Sequence, residues 1–487
     1  MTTHSPLLEA VFRHARETPA KIAVVDGGDS VSYADLALNV RRASNALLSL
    51  GVRRGGRVSI SAQNGADFVY FYLGAQLIGA ANVVVDASAN ERRLRFIEAK
   101  TRPAICLGYK SPAAKSLAFD DIDLSAASTD MPSEGEGACA EDVAEIMFTT
   151  GTTGEPKGVC LSYANIFASA SNINSFIGNT PDDVEVLALP ICHSFGLGRL
   201  RCCLVKGATL VLLGSFANLP LFFRALERHH ATGFGMVPAA WAFIRKVGGN
   251  RIEKYAPQIR YIEIGSAAMP VEQKRELCRM FPTTRICHHY GLTEASRAAF
   301  MEYHAEIDDL KTIGREVCDK VSIRIFDESG VEMPDGTPGE LCVKGNMVMK
   351  GYLDRRVSDG DFFGEYFRTG DVGYRSPDGR LYLVSRKKEI VNVGGKKVSP
   401  VEVEDAALSL GVEDCICAAA PDPEGMLGEV PKLYVLRGGT TLSFDEIKAG
   451  LASLLEPYKV PTLYEWIDAI PKTASGKKQR LQLAGRT

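Results

Sequence analysis

An uninterrupted apolar segment at residues 68–85, FVYFYLGAQLIGAANVVV, restricts what this chain can fold into. It is just long enough to cross a membrane. However, Gln76 and Asn82 lie within it, and Gly79-Ala80-Ala81 divides it in two. We therefore predict a buried helix followed by a buried, Val-rich strand, with no membrane span.

Helix-like and strand-like patterns alternate through the first 110 residues. Residues 31–52 read as the end of a strand followed by an amphipathic helix, and residues 55–63 read as a strand. This alternation predicts an α/β fold whose large N-terminal domain has sheets covered by helices. From about residue 313, short β-like segments separated by Pro-Asp-Gly turns at 334–336 and 377–379 predict a β-rich subdomain.

The length of 487 residues predicts two or more domains. We expect a large domain at residues 1–386 and a small, mobile α+β domain at residues 387–487. Residues 111–142 are polar and rich in Ser, Ala, Asp and Gly, which predicts a mobile surface linker within the large domain.

Composition argues against several classes of partner and site. A net charge of −3 gives no basic face for nucleic acid or an anionic membrane, and the polar N-terminus lacks the apolar core of a signal peptide. We therefore expect a cytoplasmic protein. The twelve cysteines are scattered along the chain and form no C-x-x-C motif. We therefore expect reduced thiols and no disulfide framework. The adjacent pairs His229-His230 and His288-His289 are poorly placed to chelate, so no zinc site is predicted.

The segment Phe148 to Leu161, FTTGTTGEPKGVCL, combines hydroxyls, glycines and one lysine. Such a loop binds phosphate because glycine lets backbone N–H groups approach, while Thr and Lys add donors and charge. The spacing differs from that of a Walker loop. Taken alone, the segment fits a surface turn equally well.

Four further stretches follow in order: HHYGLTE at 288–294, YFRTGDVGY at 366–374, SRKKEIVNVGGKKVSPVEVE at 385–404 and PKTASGKKQR at 471–480. Each alone has an ordinary explanation, such as a core tyrosine or a basic tail. Together with the Thr/Gly loop they resemble the adenylate-forming superfamily, which includes acyl- and aryl-CoA synthetases, amino-acid-activating domains and luciferases. The resemblance covers nearly the whole chain.

The resemblance implies that ATP and Mg²⁺ convert a carboxylic acid to an acyl-adenylate and pyrophosphate, and that a thiol then displaces AMP. Glu294 corresponds to the Mg²⁺ ligand, and Thr293 to a residue that bonds a phosphate oxygen. The loop around the β- and γ-phosphates corresponds to Thr149, Thr150, Gly151, Thr152, Thr153, Gly154 and Lys157.

The resemblance also assigns the nucleoside site. Tyr290 should lie against adenine, Asp371 should accept both ribose hydroxyls, and Arg386 should lie near the ribose and α-phosphate. Further ATP-binding residues are Gly265, Ser266, Ala267, His289 and Gly291; the family often has glycine where Ser266 stands. Lys477 corresponds to the catalytic lysine that bridges the attacking carboxylate and the α-phosphate, and Lys478 is its nearest rival.

For the second half-reaction, relatives rotate the small domain about one hinge residue, and Lys388 stands at that position. Gly394 and Gly395 would then face the acyl pocket and open a path for the thiol.

The residues that correspond to the family's acid pocket restrict the substrate. Residues 189–203 lack the Asp that amino-acid-activating relatives use to pair with the substrate amine, which disfavours an amino acid. His193 corresponds to a residue that shields the carboxylate end of the pocket, although a packing histidine is an equal alternative. His289 replaces the glycine of coumarate–CoA ligases and should shorten the pocket, favouring a small or aromatic acid. Apolar residues of the pocket and thiol tunnel are Phe195, Phe234, Met236 and Val237.

The acceptor thiol stays open at this point. CoA is the default for the acyl- and aryl-CoA ligases, and the phosphopantetheine of a free acyl carrier protein is the alternative. A non-catalytic nucleotide-binding regulator and a luciferase-like oxidative enzyme are the rival functions. The sequence leaves a monomer and a homodimer equally open.

Overall fold

A computed structural model describes residues 5–132, 138–149, 156–354, 359–394, 396–473 and 477–485. Helices and strands are numbered in chain order. The first part of the chain contains α1 (Pro6–Glu17), β1 (Ile22–Asp26), β2 (Asp29–Ser32), α2 (Tyr33–Ser49), β3 (Arg57–Ser61), α3 (Ala66–Leu77), β4 (Ala81–Val85), α4 (Glu91–Thr101), β5 (Ile105–Leu107) and β6 (Ser116–Leu117).

The middle of the chain continues the alternation of strands and helices. It contains β7 (Val143–Phe148), β8 (Gly158–Ser162), α5 (Tyr163–Ile177), β9 (Val184–Leu187), α6 (Ser194–Lys206), β10 (Thr209–Leu212), α7 (Leu219–Arg228), β11 (Gly233–Met236), α8 (Pro238–Gly248), β12 (Tyr261–Ile264), α9 (Val271–Met280), β13 (Arg285–Tyr290) and β14 (Ala299–Glu302).

Strands dominate the remainder. It contains β15 (Arg315–Glu316), β16 (Val321–Phe326), β17 (Gly339–Gly345), β18 (Gly351–Tyr352), β19 (Phe362–Phe363), β20 (Tyr366–Arg375), β21 (Leu381–Arg386), β22 (Val391–Val393), β23 (Lys396–Val398), α10 (Pro400–Ser409), β24 (Cys415–Pro421), β25 (Glu429–Leu436), α11 (Phe444–Leu454) and β26 (Leu463–Ile467). Short 3₁₀ turns lie at Phe119–Asp121, Leu124–Ala126, Gly249–Tyr255, Asp359–Asp361, Pro457–Lys459 and Arg480–Gln482.

The apolar run at residues 68–85 forms a buried helix and strand, as predicted. Every residue of α3 from Phe68 to Leu77 is buried, and so is all of β4. Gly79, with φ +67°, makes the turn between them, where a backbone of that sign favours glycine. Within the described ranges, no helix is long and apolar enough to span a bilayer.

Two large sheets form the framework of the N-terminal domain. The nine-stranded sheet has the order β15-β14-β13-β12-β11-β9-β10-β1-β2, and the seven-stranded sheet has the order β18-β8-β7-β4-β3-β5-β6. Strands β9 to β13 are parallel, as are β3, β4, β5 and β7. The carboxyl ends of parallel strands in one sheet meet at one edge, which is where ligands bind in open α/β sheets.

The predicted β-rich subdomain is a five-stranded sheet of β16, β17, β19, β20 and β21. In its β20–β21 hairpin, Asp371 lies directly opposite Arg386. Gly336 and Gly379 close the two Pro-Asp-Gly turns with φ of +80° and +87°.

The C-terminal segment builds a small core of its own. The three-stranded sheet β24-β25-β26 packs with α10 and α11 around buried residues that include Val403, Leu433 and Ile447. Helix α11 begins at a capping box, in which Ser443 and Glu446 satisfy each other's backbone N–H groups. This small α+β unit follows β21, and the division at residue 386 stays a prediction.

Within the predicted linker, residues 111–132 and 138–142 are more ordered than expected. These residues are partly exposed and partly half-buried, and β6 adds an edge strand to the seven-stranded sheet by pairing with β5. Phe119 stacks on Phe71 of α3, with ring centres 5.7 Å apart. Leu117, Phe119, Ile122, Leu124 and Met131 pack against the main core, and composition alone did not show this because these apolar residues are scattered in a polar stretch.

Candidate active site

The Thr/Gly loop lies at the turn of the β7–β8 hairpin. Thr149 donates its backbone N–H to Lys157 O over 3.0 Å, so the two ends of the loop are held together. The ammonium of Lys157 lies 4.9 Å from the centre of the Tyr352 ring on β18. The predicted phosphate-binding residues Thr150, Gly151, Thr152, Thr153 and Gly154 lie outside the described residues.

The predicted magnesium ligand, Glu294, contacts the same tyrosine. The Tyr352 hydroxyl donates to Glu294 Oε1 over 3.1 Å. Lys157, Tyr352 and Glu294 therefore form a continuous line from the Thr/Gly loop to the turn after β13. Thr293 and Glu294 are both half-buried. A carboxylate in this setting suits a hard cation such as Mg²⁺, which takes oxygen ligands.

The turn that carries Thr293 and Glu294 depends on Gly291. A Cβ atom at Gly291 would lie 2.4 Å from the backbone nitrogen of Arg297. Only glycine fits that close approach. This gives a physical reason for the glycine in YGLTE.

Tyr290, Asp371 and Arg386 form a compact cluster. The Tyr290 hydroxyl donates to Asp371 Oδ2 over 2.8 Å, and Arg386 Nε lies 3.0 Å from Asp371 Oδ1. Asp371 is buried. The burial of Tyr290 itself and the negative charge of Asp371 both raise the pKa of Tyr290. The structure thus joins two motifs that lie 81 residues apart.

Lys477 reaches this cluster from the other end of the chain. Its backbone N–H donates to Thr473 Oγ1 over 3.0 Å, and its carbonyl accepts from Thr473 N over 2.8 Å. Burial lowers the pKa of Lys477 to about 8, with the charge of Arg386 acting in the same direction and that of Asp371 opposing it. The charges of Arg386 and Asp371 thus both act on the Lys477 ammonium.

Lys478 has a different environment. Its Nζ lies 3.1 Å from Glu404 Oε2 and 3.1 Å from Asp414 Oδ1. Burial alone would lower the pKa of Lys478, but these carboxylates outweigh it and the pKa is raised. Lys478 is therefore an anchoring residue of the small domain, which favours Lys477 over its sequence rival.

The segment after β12 has a strained serine. Ser266 is exposed and has φ +71°, a backbone region that glycine enters at much lower cost. This matches the position where the adenylate-forming superfamily often has glycine. The next residue, Ala267, is half-buried, and its carbonyl lies 3.1 Å from His288 Nε2.

His289 lies behind this segment, directly against Gly265. A Cβ atom at Gly265 would lie 1.9 Å from His289 Cε1, so the glycine leaves room for the ring. The ring also packs edge-on against Phe195, with centres 4.7 Å apart. Burial lowers the pKa of His289, against the opposing effect of the nearby Glu263.

The other predicted pocket residues fall into two groups. His193 and Val237 are half-buried at the starts of α6 and α8, and burial lowers the pKa of His193. Phe234 and Met236 are fully buried in β11, and Phe234 packs edge-on against Phe222 of α7 at 5.3 Å. These contacts make Phe234 a core residue.

A buried ionic network lies beneath His289, and the sequence reasoning missed it. Arg199 is fully buried and pairs with Glu185 at 2.5 Å and Glu263 at 3.0 Å. Arg297 pairs with the same Glu263 at 3.1 Å, and His289 Nδ1 lies 2.7 Å from it. Burial alone would raise the pKa of Glu263, but the charges of Arg297 and Arg199 hold it well below its usual value.

A signal for this network was present in the sequence. Glu185 and Glu263 each interrupt a short apolar strand, in VEVL and YIEI. A carboxylate inside a buried parallel strand needs a cationic partner, because an unpaired buried charge is costly. Arg199 on α6 and Arg297 in the segment between β13 and β14 are those partners, and they could not be identified without knowing which segments pack against the sheet.

The predicted hinge and thiol path lie at the start of the small domain. Lys388 is exposed in the turn that follows β21. Gly394 is exposed in the β22–β23 hairpin with φ +55°, and its N–H donates to Leu427 O over 2.9 Å. Gly395 lies outside the described residues. The hinge and tunnel roles stay predictions.

Comparison with family models gives two matches. Residues 11–353 match the model of the AMP-binding enzyme family, and residues 402–477 match the AMP-binding enzyme C-terminal domain.

Curated relatives resemble the chain over almost its full length. The 4-coumarate-CoA ligase 1 of Narcissus pseudonarcissus is 27% identical, covering 99% of this chain and 94% of the relative. The 2-succinylbenzoate–CoA ligase of Bacillus licheniformis is also 27% identical, covering 97% and 98%.

Solved structures of such enzymes have the same fold. The o-succinylbenzoate CoA synthetase of Bacillus subtilis, in complex with its acyl-adenylate, superposes with a TM-score of 0.87 at 26% identity and 98% coverage of both chains. ATP-bound MatB of Rhodopseudomonas palustris gives 0.89 at 25% identity, covering 99% and 98%. These similarities confirm the predicted α/β fold with a large N-terminal and a small C-terminal domain. The chain belongs to the AMP-binding enzyme family.

Proposed function

We propose that this chain is an AMP-forming acid–thiol ligase. It activates a carboxylic acid with ATP to an acyl-adenylate and pyrophosphate, and then transfers the acyl group to a thiol. The observation that carries this proposal is the cluster of Tyr290, Asp371 and Arg386, in which the charges of Asp371 and Arg386 act on the buried Lys477 of the small domain. A pure nucleotide binder has no need of that lysine.

The first half-reaction is an electrostatic problem. An anionic carboxylate must attack an anionic α-phosphate, so positive charge has to be placed where both meet. Lys477 and Arg386 supply that charge, while Asp371 accepts hydrogen bonds from the ribose hydroxyls. Glu294 would hold Mg²⁺, which neutralises phosphate charge when bound.

In the second half-reaction, a thiol must reach the acyl-adenylate at the position that Lys477 occupies in the first half-reaction. A turn of the small domain about Lys388 would withdraw the lysine and bring Gly394 and Gly395 to the acyl group. The exposed position of Lys388, directly after β21, supports this assignment because no buried contact of its own side chain opposes the motion.

We assign a small or aromatic acid as substrate. His289 fills space beside Gly265, and its ring is held between Phe195 and Phe300 at centre distances of 4.7 and 5.8 Å. A ring fixed in this way should shorten the acid pocket. The names of the relatives contain coumarate and succinylbenzoate, which are aromatic acids.

CoA is the proposed acceptor, because the curated relatives are named as CoA ligases. The phosphopantetheine arm of a free acyl carrier protein offers the same thiol and is the alternative acceptor.

ATP–pyrophosphate exchange across a panel of small, aromatic, fatty and amino acids tests the proposal. We expect exchange that depends on Mg²⁺ and is fastest with a small or aromatic acid. CoA and an acyl carrier protein are then supplied in turn, and the thioester is quantified. Binding of ATP without exchange for any acid would reject the ligase and favour a nucleotide-binding regulator.

A further inference from the structure

Three potential metal ligands from distant parts of the chain lie together in the large domain. They are Asp86, which follows β4, and Cys192 and His193, which precede α6. One ligand atom from each side chain lies within 4.8 Å of the others, and all three residues are half-buried. We refer to them as the DCH cluster.

The chemistry of the DCH cluster differs from that of the predicted Mg²⁺ site. It combines a carboxylate oxygen, a thiol sulfur and an imidazole nitrogen. Sulfur and nitrogen ligands select zinc-like cations, whereas Mg²⁺ takes oxygen ligands such as Glu294. Three protein ligands also leave the fourth position of a tetrahedral zinc site open.

The carboxylate of the DCH cluster is oriented by its own neighbours. Asp86 Oδ1 accepts the backbone N–H of Ser88 over 2.8 Å and its hydroxyl over 2.7 Å. Metal-ligating carboxylates are oriented by hydrogen bonds of this kind. Since zinc-bound ligand atoms lie roughly 3.3 to 3.8 Å apart, small rotations of these half-buried side chains would complete the site.

One nearby cation opposes metal binding. The charge of Arg93 acts on all three side chains of the cluster. However, the Arg93 guanidinium also donates to the carbonyl of Phe148 over 3.3 Å. On metal binding, the Cys192 thiol releases one proton to solvent, so a thiolate and a carboxylate then balance the two charges of the cation.

We propose that Asp86, Cys192 and His193 form a binding site for Zn²⁺ and that its occupancy inhibits acid activation. The inhibition rests on the proposed function and on the role that the family resemblance predicts for His193, which is to shield the carboxylate end of the acid pocket. A zinc ion bonded to the His193 ring would hold that ring in the cluster and away from the acid. Zn²⁺ therefore competes with the acid and leaves ATP binding unchanged.

The proposed site differs from the prediction that the sequence contains no zinc site. That prediction considered ligands close together in the chain. Asp86 follows β4 of the seven-stranded sheet and the Cys192-His193 pair follows β9 of the nine-stranded sheet, so only the packing of the two sheets brings them together.

Cobalt binding tests the site without any substrate. Metal-free protein is titrated with Co²⁺, a spectroscopic substitute for Zn²⁺, and the thiolate-to-cobalt absorption band is followed. We expect one equivalent to bind, Cys192→Ser to abolish the band, and Asp86→Asn to weaken binding by roughly ten-fold or more. Cys318→Ser is the matched control, because Cys318 is also half-buried and lies outside the cluster.

The second measurement is inhibition of pyrophosphate exchange by Zn²⁺ at saturating Mg²⁺. We expect inhibition in the wild type and in Cys318→Ser, relieved by more acid but not by more ATP, and absent in Cys192→Ser. A cobalt band that persists in Cys192→Ser, or no cobalt binding by the wild type, overturns the site. Cobalt binding without inhibition by Zn²⁺ overturns the inhibitory role. If none of the acids supports pyrophosphate exchange, the proposed function is refuted, while the cobalt result still tests the metal site.

Discussion

Two regions of the molecule bury positive charge in opposite ways. Beneath His289, Arg199 is fully buried and paired with two carboxylates, Glu185 and Glu263. Where the two domains meet, Lys477 lies near another cation, Arg386, and burial lowers its pKa to about 8. The first charge is fully balanced within the fold and holds the sheet to its helix. The second is incompletely balanced, so an anionic ligand would stabilise it.

The contrast also separates two neighbouring lysines. Lys478 pairs with Glu404 and Asp414, as Arg199 pairs with its glutamates, and these carboxylates raise the pKa of Lys478. The pKa of Lys477 is instead lowered, chiefly by burial. Paired charges stabilise one structure, and a charge left partly unpaired is available for binding and catalysis. The following experiments test that distinction.

Arg199→Met should have the largest effect, on stability. It leaves Glu185 and Glu263 buried with reduced compensation, which costs about 3–5 kcal/mol of unfolding free energy. Urea unfolding of the large domain measures this. The control is Arg95→Met, because Arg95 pairs with Glu91 while both are exposed, and such pairs contribute about 0.5 kcal/mol or less. Equal losses in the two variants would contradict the contrast.

Lys477→Ala should reduce adenylate formation by roughly 10²- to 10³-fold, because it removes charge stabilisation at the α-phosphate. Thioester formation from a supplied adenylate should be largely unaffected. Lys478→Ala should instead lower the free energy of unfolding. Pyrophosphate exchange, single-turnover thioester formation and urea unfolding separate the two. Equal loss of both half-reactions in Lys477→Ala would reject the assigned role.

Lys388→Pro should leave pyrophosphate exchange intact and slow thioester formation by roughly ten-fold, because proline fixes φ at the predicted hinge. Lys388→Ala keeps the backbone free and is the control. Unchanged overall turnover in the proline variant would count against Lys388 as the hinge.

The smallest expected effect is on pH dependence. Since the pKa of Lys477 is lowered to about 8, the ammonium is lost as pH rises through that value, and exchange at low ATP should fall several-fold between about pH 7 and 9. Lys477→Arg keeps its charge and should move the falling limb to higher pH. The sign for stability is opposite: burial of the charged ammonium destabilises the fold below pH 8, and this penalty is removed as pH rises, so the free energy of unfolding increases with pH between about 8 and 10.5.

The residues of the candidate site were predicted from local signals. YGLTE, TGD and PKTASGK each hold a few of them close together along the chain. Gly291 of YGLTE lies where only glycine fits, whereas TGD lies within strand β20. The ionic network was missed because Arg199 and Arg297 carry no local mark of being buried. The DCH cluster was missed because its ligands are joined only by the packing of two sheets.

By itself, the amino-acid sequence determined the alternation of strands and helices, the buried segment at 68–85 and the order of the motifs. These depend on residue type and spacing along the chain, which are local properties. Only the tertiary structure decided which charges are paired: Glu263 with Arg199 and Arg297, Lys478 with Glu404, and Lys477 near Arg386. Electrostatic energy depends on distance and burial in space, and neither is set by distance along the chain.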